Sequence, residues 1–546
     1  VWSMFGSLIH NNANMSAQQE MELASQMLPG IDLKSVNQVI DDLITPENLT
    51  ISYTSTDKEG MLHPTEADLL AVYSEVMQSE ISPYEGIEIN EPLMAELPQS
   101  GQIIKRKKLP KSGIEVWTLS NGIKIYAKQT DFKQDEVLLS AKSIGGYSRY
   151  ELDEARAAKI LSSYLDQSGL GNFDAIALSH LMAGKIAQAN VNINFYDEGF
   201  EGQASPKDLE TLFQLVHQLG TNPRFDATSL SSFINRTKPM LENRSGNPEY
   251  AFFDSLNAYS TNHHPMADML KAEHFDNLTL ELLQNVHQDR FADFSDFVFF
   301  IVGNFDKKEL EGYVNTYLAS LPKARRKDQK VDAGLRYSDT VKEIRFQKGS
   351  SESAHVAHSI NGKIKLNDAN RVAMSATLMV LNEKLRENIR ENLSGVYAIQ
   401  AWQDYRDFPK EGYSITIYMA CDPARVDELN EAIFATVDSL RSGRFDERYV
   451  SNAKAVLQKR FEENMMNNRY WLNRMVENTF GRENTDSFLK YPKLYDKIDK
   501  KLISKTAQKY LDYQQNKLSL IMTPERTMGL KAGKSTEKAG VQKDTP

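Results

Sequence analysis

The chain has 546 residues, 41% of them hydrophobic, with 24 Phe, 23 Tyr and a formal net charge of −10. That length and composition support several domains with ordinary apolar cores and exclude a disordered chain. The acidic balance disfavours nucleic acid, which needs clustered Lys and Arg; no apolar run reaches the ~18 residues of a membrane span; and a single cysteine, Cys421, excludes an intrachain disulfide framework.

Residues 33–57 (LKSVNQVIDDLITPENLTISYTSTD) read as a helix, a polar break, a short apolar strand near Ile51 and a turn. The same order recurs at 280–306 and 502–525, with strands centred near Phe300 and Leu520. Recurrence at intervals of about 250 and about 220 residues signals duplicated units. The first copy arrives too early to close a complete unit. Residues 1–93 are therefore expected to be the C-terminal remnant of a preceding unit whose front lies before Val1. With no initiating Met, the lack of a signal peptide says nothing about export.

Residues 94–112, which contain prolines and the basic run Lys105-Arg106-Lys107-Lys108, are expected to be a solvated linker. A first complete unit spans 113–322. Residues 120–148 alternate apolar and polar positions on both sides of a turn, which predicts paired strands. A helix begins near Asp153, and residues 191–220 read as a strand, a loop and a helix with Ser205 and Pro206 at its start. After a linker at 323–340, a second unit at 341–525 repeats this order. It has paired strands at 341–362, a long helix after Asn367, and a strand, turn and helix at 412–443. The last of these helices carries a one-face stripe of Leu429, Ile433, Phe434, Val437 and Leu440. One long polar helix is expected over 447–480. Residues 526–546, rich in Lys, Gly, Thr and Ser, are expected to be a disordered tail. The fold class is α+β: tandem units of mostly antiparallel sheet with helices packed on one side.

Several motifs occur in one order: PTEADLLAVYSEV, WTLSNGIKIYAKQTDFKQDE, SGLGNFDA, SPKDLETLFQLV, FIVGNFD and IRENLSGVY. Together they resemble the C-terminal half of the insulinase/pitrilysin zinc metallopeptidases, in their long bacterial form. The resemblance covers residues 33–525 and implies half of a two-half clamshell. In that family a helix of the first unit carries H-x-x-E-H, two His binding zinc and the Glu activating water. No H-x-x-E-H occurs here, and the equivalent helix, DEARAAKILSSYLDQ, contains no His. The resemblance thus implies that zinc belongs to an N-terminal half, in the same chain or a partner subunit, and that this segment alone is inactive. It also implies peptide substrates and a periplasmic or cell-envelope location. An alternative of another class is a non-catalytic scaffold or core subunit of the same superfamily.

The ten His supply no substitute motif. His355 and His358 are spaced as H-x-x-H on a strand, which puts them on opposite faces. His263 and His264 are adjacent in a turn, and His217 lies among Leu212, Phe213 and Val216 as a packed helix residue. Gly169 and Gly171 match no phosphate loop. What the resemblance does mark is Arg390 and Tyr397 in IRENLSGVY. There the Tyr hydroxyl would donate to the scissile carbonyl oxygen or its oxyanion, and the Arg would hold the substrate backbone or the same charge. Without the resemblance, spacing alone favours a helix-end Arg capping carbonyls and a packed Tyr. Gly145-Gly146 in KSIGGYS resembles a segment that pairs with an extended peptide; a plain turn is the competing reading.

Overall fold

The computed structural model describes residues 2–525 apart from 11–12, 44–48, 56–59, 81–88, 90, 325–326, 351 and 482. The expected tail at 526–546 lies outside the described residues. The chain divides into two units, Val1–Gly86 and Ile87–Pro546.

The first unit carries the helices Trp2–His10, Ala17–Met27, Leu33–Leu43 and Glu66–Gln78. Thr65 caps the last of them in a reciprocal box with Asp68. The strand expected near Ile51 is absent: residues 49–55 are irregular, and Ile51 and Tyr53 are exposed. A lone apolar run becomes a strand only when a neighbour supplies its ladder. Among the described residues of this unit there is no strand to do so.

In the second unit two sheets share one wiring. The seven-stranded sheet has the order β1-β2-β3-β7-β4-β6-β5. Its strands are β1 (Ile103–Lys108), β2 (Glu115–Leu119), β3 (Lys124–Gln129), β4 (Val137–Ile144), β5 (Ala187–Ile193), β6 (Asp197–Ala204) and β7 (Val298–Gly303). The five-stranded sheet has the order β10-β11-β9-β12-β8. It is built from β8 (Val341–Gln347), β9 (Ala354–Lys363), β10 (Val396–Arg406), β11 (Gly412–Cys421) and β12 (Lys517–Thr523). In both, the closing strand of the repeat pairs parallel with an early strand, β7 with β3 and β12 with β8. It pairs antiparallel with the next, β4 or β9, and every other pairing is antiparallel.

Three expectations are corrected. The strands read as directly paired at 120–148 (β3 and β4) and at 341–362 (β8 and β9) are not neighbours, because the distant closing strand slots between β3 and β4, and between β8 and β9. The basic run is not a loose linker but the edge strand β1, paired with β2; Lys on an edge is a common guard against unwanted pairing. The helix expected over 447–480 is two helices, Glu447–Asn464 and Asn468–Phe480, with Asn467 capping the second through Tyr470 N–H.

That break lets the two halves of the second unit clasp each other. The run Val298–Gly303 is buried throughout, and its period-2 alternation divides it between two cores. Phe299 and Ile301 pack with Leu161, Phe213 and Phe291 under their own helices. Val298, Phe300 and Val302 pack with Trp471 and Met475 of the Asn468–Phe480 helix. In return, Phe252 and Leu256 of the helix Pro248–Ser260 cover Ala357, Leu520 and Met522 of the other sheet. Asn468 pins the first exchange: Thr130 donates to its Oδ1 at 2.6 Å, and its Nδ2 donates to Glu136 at 3.0 Å.

Candidate functional site

Arg390 and Tyr397 sit where three backbone irregularities follow in a dozen residues. The helix Asp368–Leu385 ends by widening into a π-turn, Arg386–Asn392, with Ile389 fully buried as its anchor. A π-turn displaces side chains from the α-helical face and often marks a functional segment. Ser394 then takes φ = +47°, a left-handed conformation costly for a residue with a Cβ. Gly395 is buried so closely that an added Cβ would lie 2.4 Å from Leu429 Cδ2. The chain is held in this path by two hydrogen bonds: Gly395 N–H donates to Ile389 O (3.2 Å), and Arg425 Nη1 donates to Leu393 O (3.1 Å).

The strand that follows, β10, is the edge of its sheet. Val396 pairs with Cys421 and Ala398 with Ala420, so Tyr397 is the extra residue of a bulge. Bulges at sheet edges re-aim one side chain, and Tyr397 is 70% exposed. Arg390 is exposed as well. Neither side chain has a hydrogen bond or ion pair among the described residues. The segment therefore presents a cation and a phenol outward from a rigid base, which suits donors for an external carbonyl or oxyanion. Neither the packed-tyrosine reading nor the helix-cap reading describes this geometry.

Gly145 and Gly146 behave differently. Both are buried. Gly145 N–H donates to Tyr196 O (3.0 Å), and Gly146 N–H donates to the Glu198 carboxylate (2.6 Å). Strand β4, which they end, is flanked by β6 and β7. The peptide-pairing role expected for them is corrected to the competing reading: they form a turn, with Gly146 at φ = +69°. Their smallness makes room for a charged cluster, since a Cβ on Gly145 would lie 2.4 Å from Arg290 Nη1.

That cluster had no signal in the sequence, because its members come from four distant segments. Arg290 is fully buried. It reaches Asp289 at 2.6 Å, Asp328 at 3.0 Å and Glu198 at 3.6 Å, and its Nε donates to Tyr150 at 2.9 Å. One guanidinium cannot neutralise three carboxylates. Burial first, with Asp328 and Asp296 nearby, pushes Glu198 up to about 7 despite Arg290 and the Gly146 N–H. Desolvation opposes the Arg290 charge, and Glu198, Tyr150 and Asp289 more than offset it, so its pKa moves up. Asp328 also meets Arg149 at 2.7 Å, which ties the segment between the repeats to the first sheet.

The His separate as their spacing implies. His355 Nδ1 is 2.8 Å from the Tyr418 hydroxyl, while His358 lies between Ser519 and Asn430, 2.9 Å from each. Burial drives His358 down to about 4. Zinc needs convergent imidazole, thiolate or carboxylate donors. The helix Leu152–Ser168, at the position of the family's zinc helix, offers no His, and among the described residues no group of three or more His, Cys, Asp or Glu is arranged to hold a metal. The residues present do not fit a resident zinc ion. No described helix is long and apolar enough to cross a membrane.

Residues 277–457 match the family described as the Peptidase M16 inactive domain. Among curated proteins, the probable zinc protease PqqL of Haemophilus influenzae is 22% identical over 519 residues, covering 92% of this chain and 54% of its own length. The periplasmic protease PqqL from Escherichia coli superposes with a TM-score of 0.71 at 17% identity, over 96% of this chain and 58% of its own. A peptidase M16 inactive domain from Pseudomonas fluorescens superposes with a TM-score of 0.63 at 14% identity, over 76% of this chain and 99% of its own. The chain spans about half the length of the curated relatives it matches. The paired sheets, the order of motifs and these likenesses point the same way: residues 277–457 match the Peptidase M16 inactive domain, and the chain is similar in sequence to the PqqL zinc proteases and shares the fold of half of one.

Proposed function

We propose that this chain is the zinc-free C-terminal half of a zinc metallopeptidase that hydrolyses peptides in an enclosed chamber in the periplasm or cell envelope. A zinc-bearing N-terminal half, in the same polypeptide or a partner subunit, supplies metal, water and general base. This half supplies chamber wall and two contacts to the reacting peptide. Tyr397 donates its phenolic hydrogen bond to the scissile carbonyl oxygen as it becomes an oxyanion, and Arg390 holds the substrate backbone or that charge. The observation that carries the reading is the bulge at Tyr397, which aims an unpartnered hydroxyl out of a sheet edge.

Tyr397→Phe in the assembled two-half enzyme tests it. The change removes one hydroxyl from an exposed ring and leaves folding untouched. A donor that strengthens only in the transition state predicts a kcat lower by about 10² to 10³ with KM little changed. A loss confined to KM makes Tyr397 a ground-state binding residue, and unchanged kinetics remove it from the reaction.

A further inference from the structure

Register sorts the basic run into two faces. On β1, Arg106 points one way, where its Nη2 donates to Glu311 at 3.0 Å and its guanidinium lies 5.5 Å from the Trp117 ring centre. Lys105 and Lys107 point the other way. Opposite Lys105 lies Thr118 and then Lys124; opposite Lys107 lie Val116 and then Tyr126. With Lys111 from the following turn, these side chains line an open groove of about 490 Å³. Its one acidic lining residue is Asp486. None of the four lysine ammonium groups has an ion pair or hydrogen bond among the described residues. Like charges across neighbouring strands repel, and this concentration stands in a chain of net charge −10.

We infer that the groove is a docking site for an extended acidic peptide segment of a partner protein. Three observations select that occupant. The lysines alternate with an apolar floor of Val116, Tyr126, Leu109 and Pro110, which a phosphate polymer would leave unused. The arginine of the run, whose fork suits phosphate, is committed to Glu311 on the opposite face. Lys105 and Lys107 are two residues apart on a strand, about 6.6 Å, which is the repeat of carboxylates at alternate positions of an extended peptide. The inference stands apart from the peptidase reading, since it concerns binding alone.

The test is fluorescence anisotropy on the 546-residue chain with a fluorescein-labelled peptide of about eight alternating Glu and Val residues, of the extended kind that docks by alternate side chains. Salt-sensitive binding is expected, weakened about tenfold or more by Lys105→Glu/Lys107→Glu and, as a second variant, by Lys124→Glu. The exposed pair Lys501→Glu/Lys505→Glu changes net charge equally and should leave binding intact. Equal weakening by both double variants, or equal binding of a control peptide with Gln in place of each Glu, would overturn the proposal. So would inorganic polyphosphate that binds more tightly than the peptide with the same lysine dependence. Circular dichroism melts establish that each variant is folded before it is scored.

Discussion

Glu198 shows how a residue with no local sequence signal acquires a property from its neighbours. Its carboxyl sits near 7 against an ordinary 4.5, so between those pH values the folded chain binds a proton that the unfolded chain releases. Stability from this group is present below about pH 4.5 and is lost as pH rises through 7. Thermal melts from pH 5 to 8 should show the midpoint falling with pH, and Glu198→Gln, an amide that can still accept from Gly146 N–H, should flatten that slope. A slope unchanged in the variant would assign the dependence to another group. Gly395 carries the opposite lesson, because its reason is purely steric. Leu429 is fully buried and cannot retreat, so Gly395→Ala should cost about 1–3 kcal/mol, measurable by denaturant unfolding. It should also disturb Tyr397, two residues on.

At the scale of elements, the closing strands were the most legible. The run FVFFIVG is apolar on both faces, and the structure buries it on both faces, in two different cores. Helices with a clear stripe, such as Val426–Arg441, were nearly as plain: Leu429, Ile433, Val437 and Leu440 are fully buried, while Phe434, also read into the stripe, is half-buried against His358 and Tyr513. Strand neighbours were not legible. The slot between β3 and β4 is filled from more than 150 residues away, and periodicity carries no information about such pairing. The segment near Ile51 failed for the complementary reason: a pattern specifies a strand only where a ladder partner exists. Site residues divide the same way. Arg390 and Tyr397 are candidates by motif alone, and the π-turn, the left-handed Ser394 and the bulge that present them depend on packing against Leu429 and Arg425. The helix exchange yields a further expectation. Trp471 is buried against the other half's sheet and lies 4.8 Å from Lys128 Nζ, so Trp471→Ala should cost about 3–5 kcal/mol. Because each half covers the other, calorimetry should show one shifted transition for residues 87–525 rather than two separated ones; separate transitions would mean that the halves fold independently.

At the scale of the whole molecule, the proposed function rests on a division of catalytic work between two halves. Metal affinity comes from donor atoms that converge, and water is activated only where such a centre exists. The helix Leu152–Ser168 has Asp153, Glu154 and Asp166 but no imidazole. The described His lie singly among cores and turns. The purified chain should therefore carry far less than one equivalent of zinc after dialysis and should not cleave peptides. Mixed with, or joined to, a half that bears H-x-x-E-H, it should support cleavage that a chelator abolishes and zinc restores. On the proposed reading Tyr397→Phe then slows turnover without changing the zinc content, because its hydroxyl would act on substrate rather than on metal. Metal analysis and peptide hydrolysis on the same preparations decide the matter. One tightly held zinc per isolated chain, together with chelator-sensitive cleavage, would place the centre in this half and end the proposed division of labour. A reconstituted enzyme that Tyr397→Phe leaves at full speed would preserve the division but leave this half as chamber wall alone.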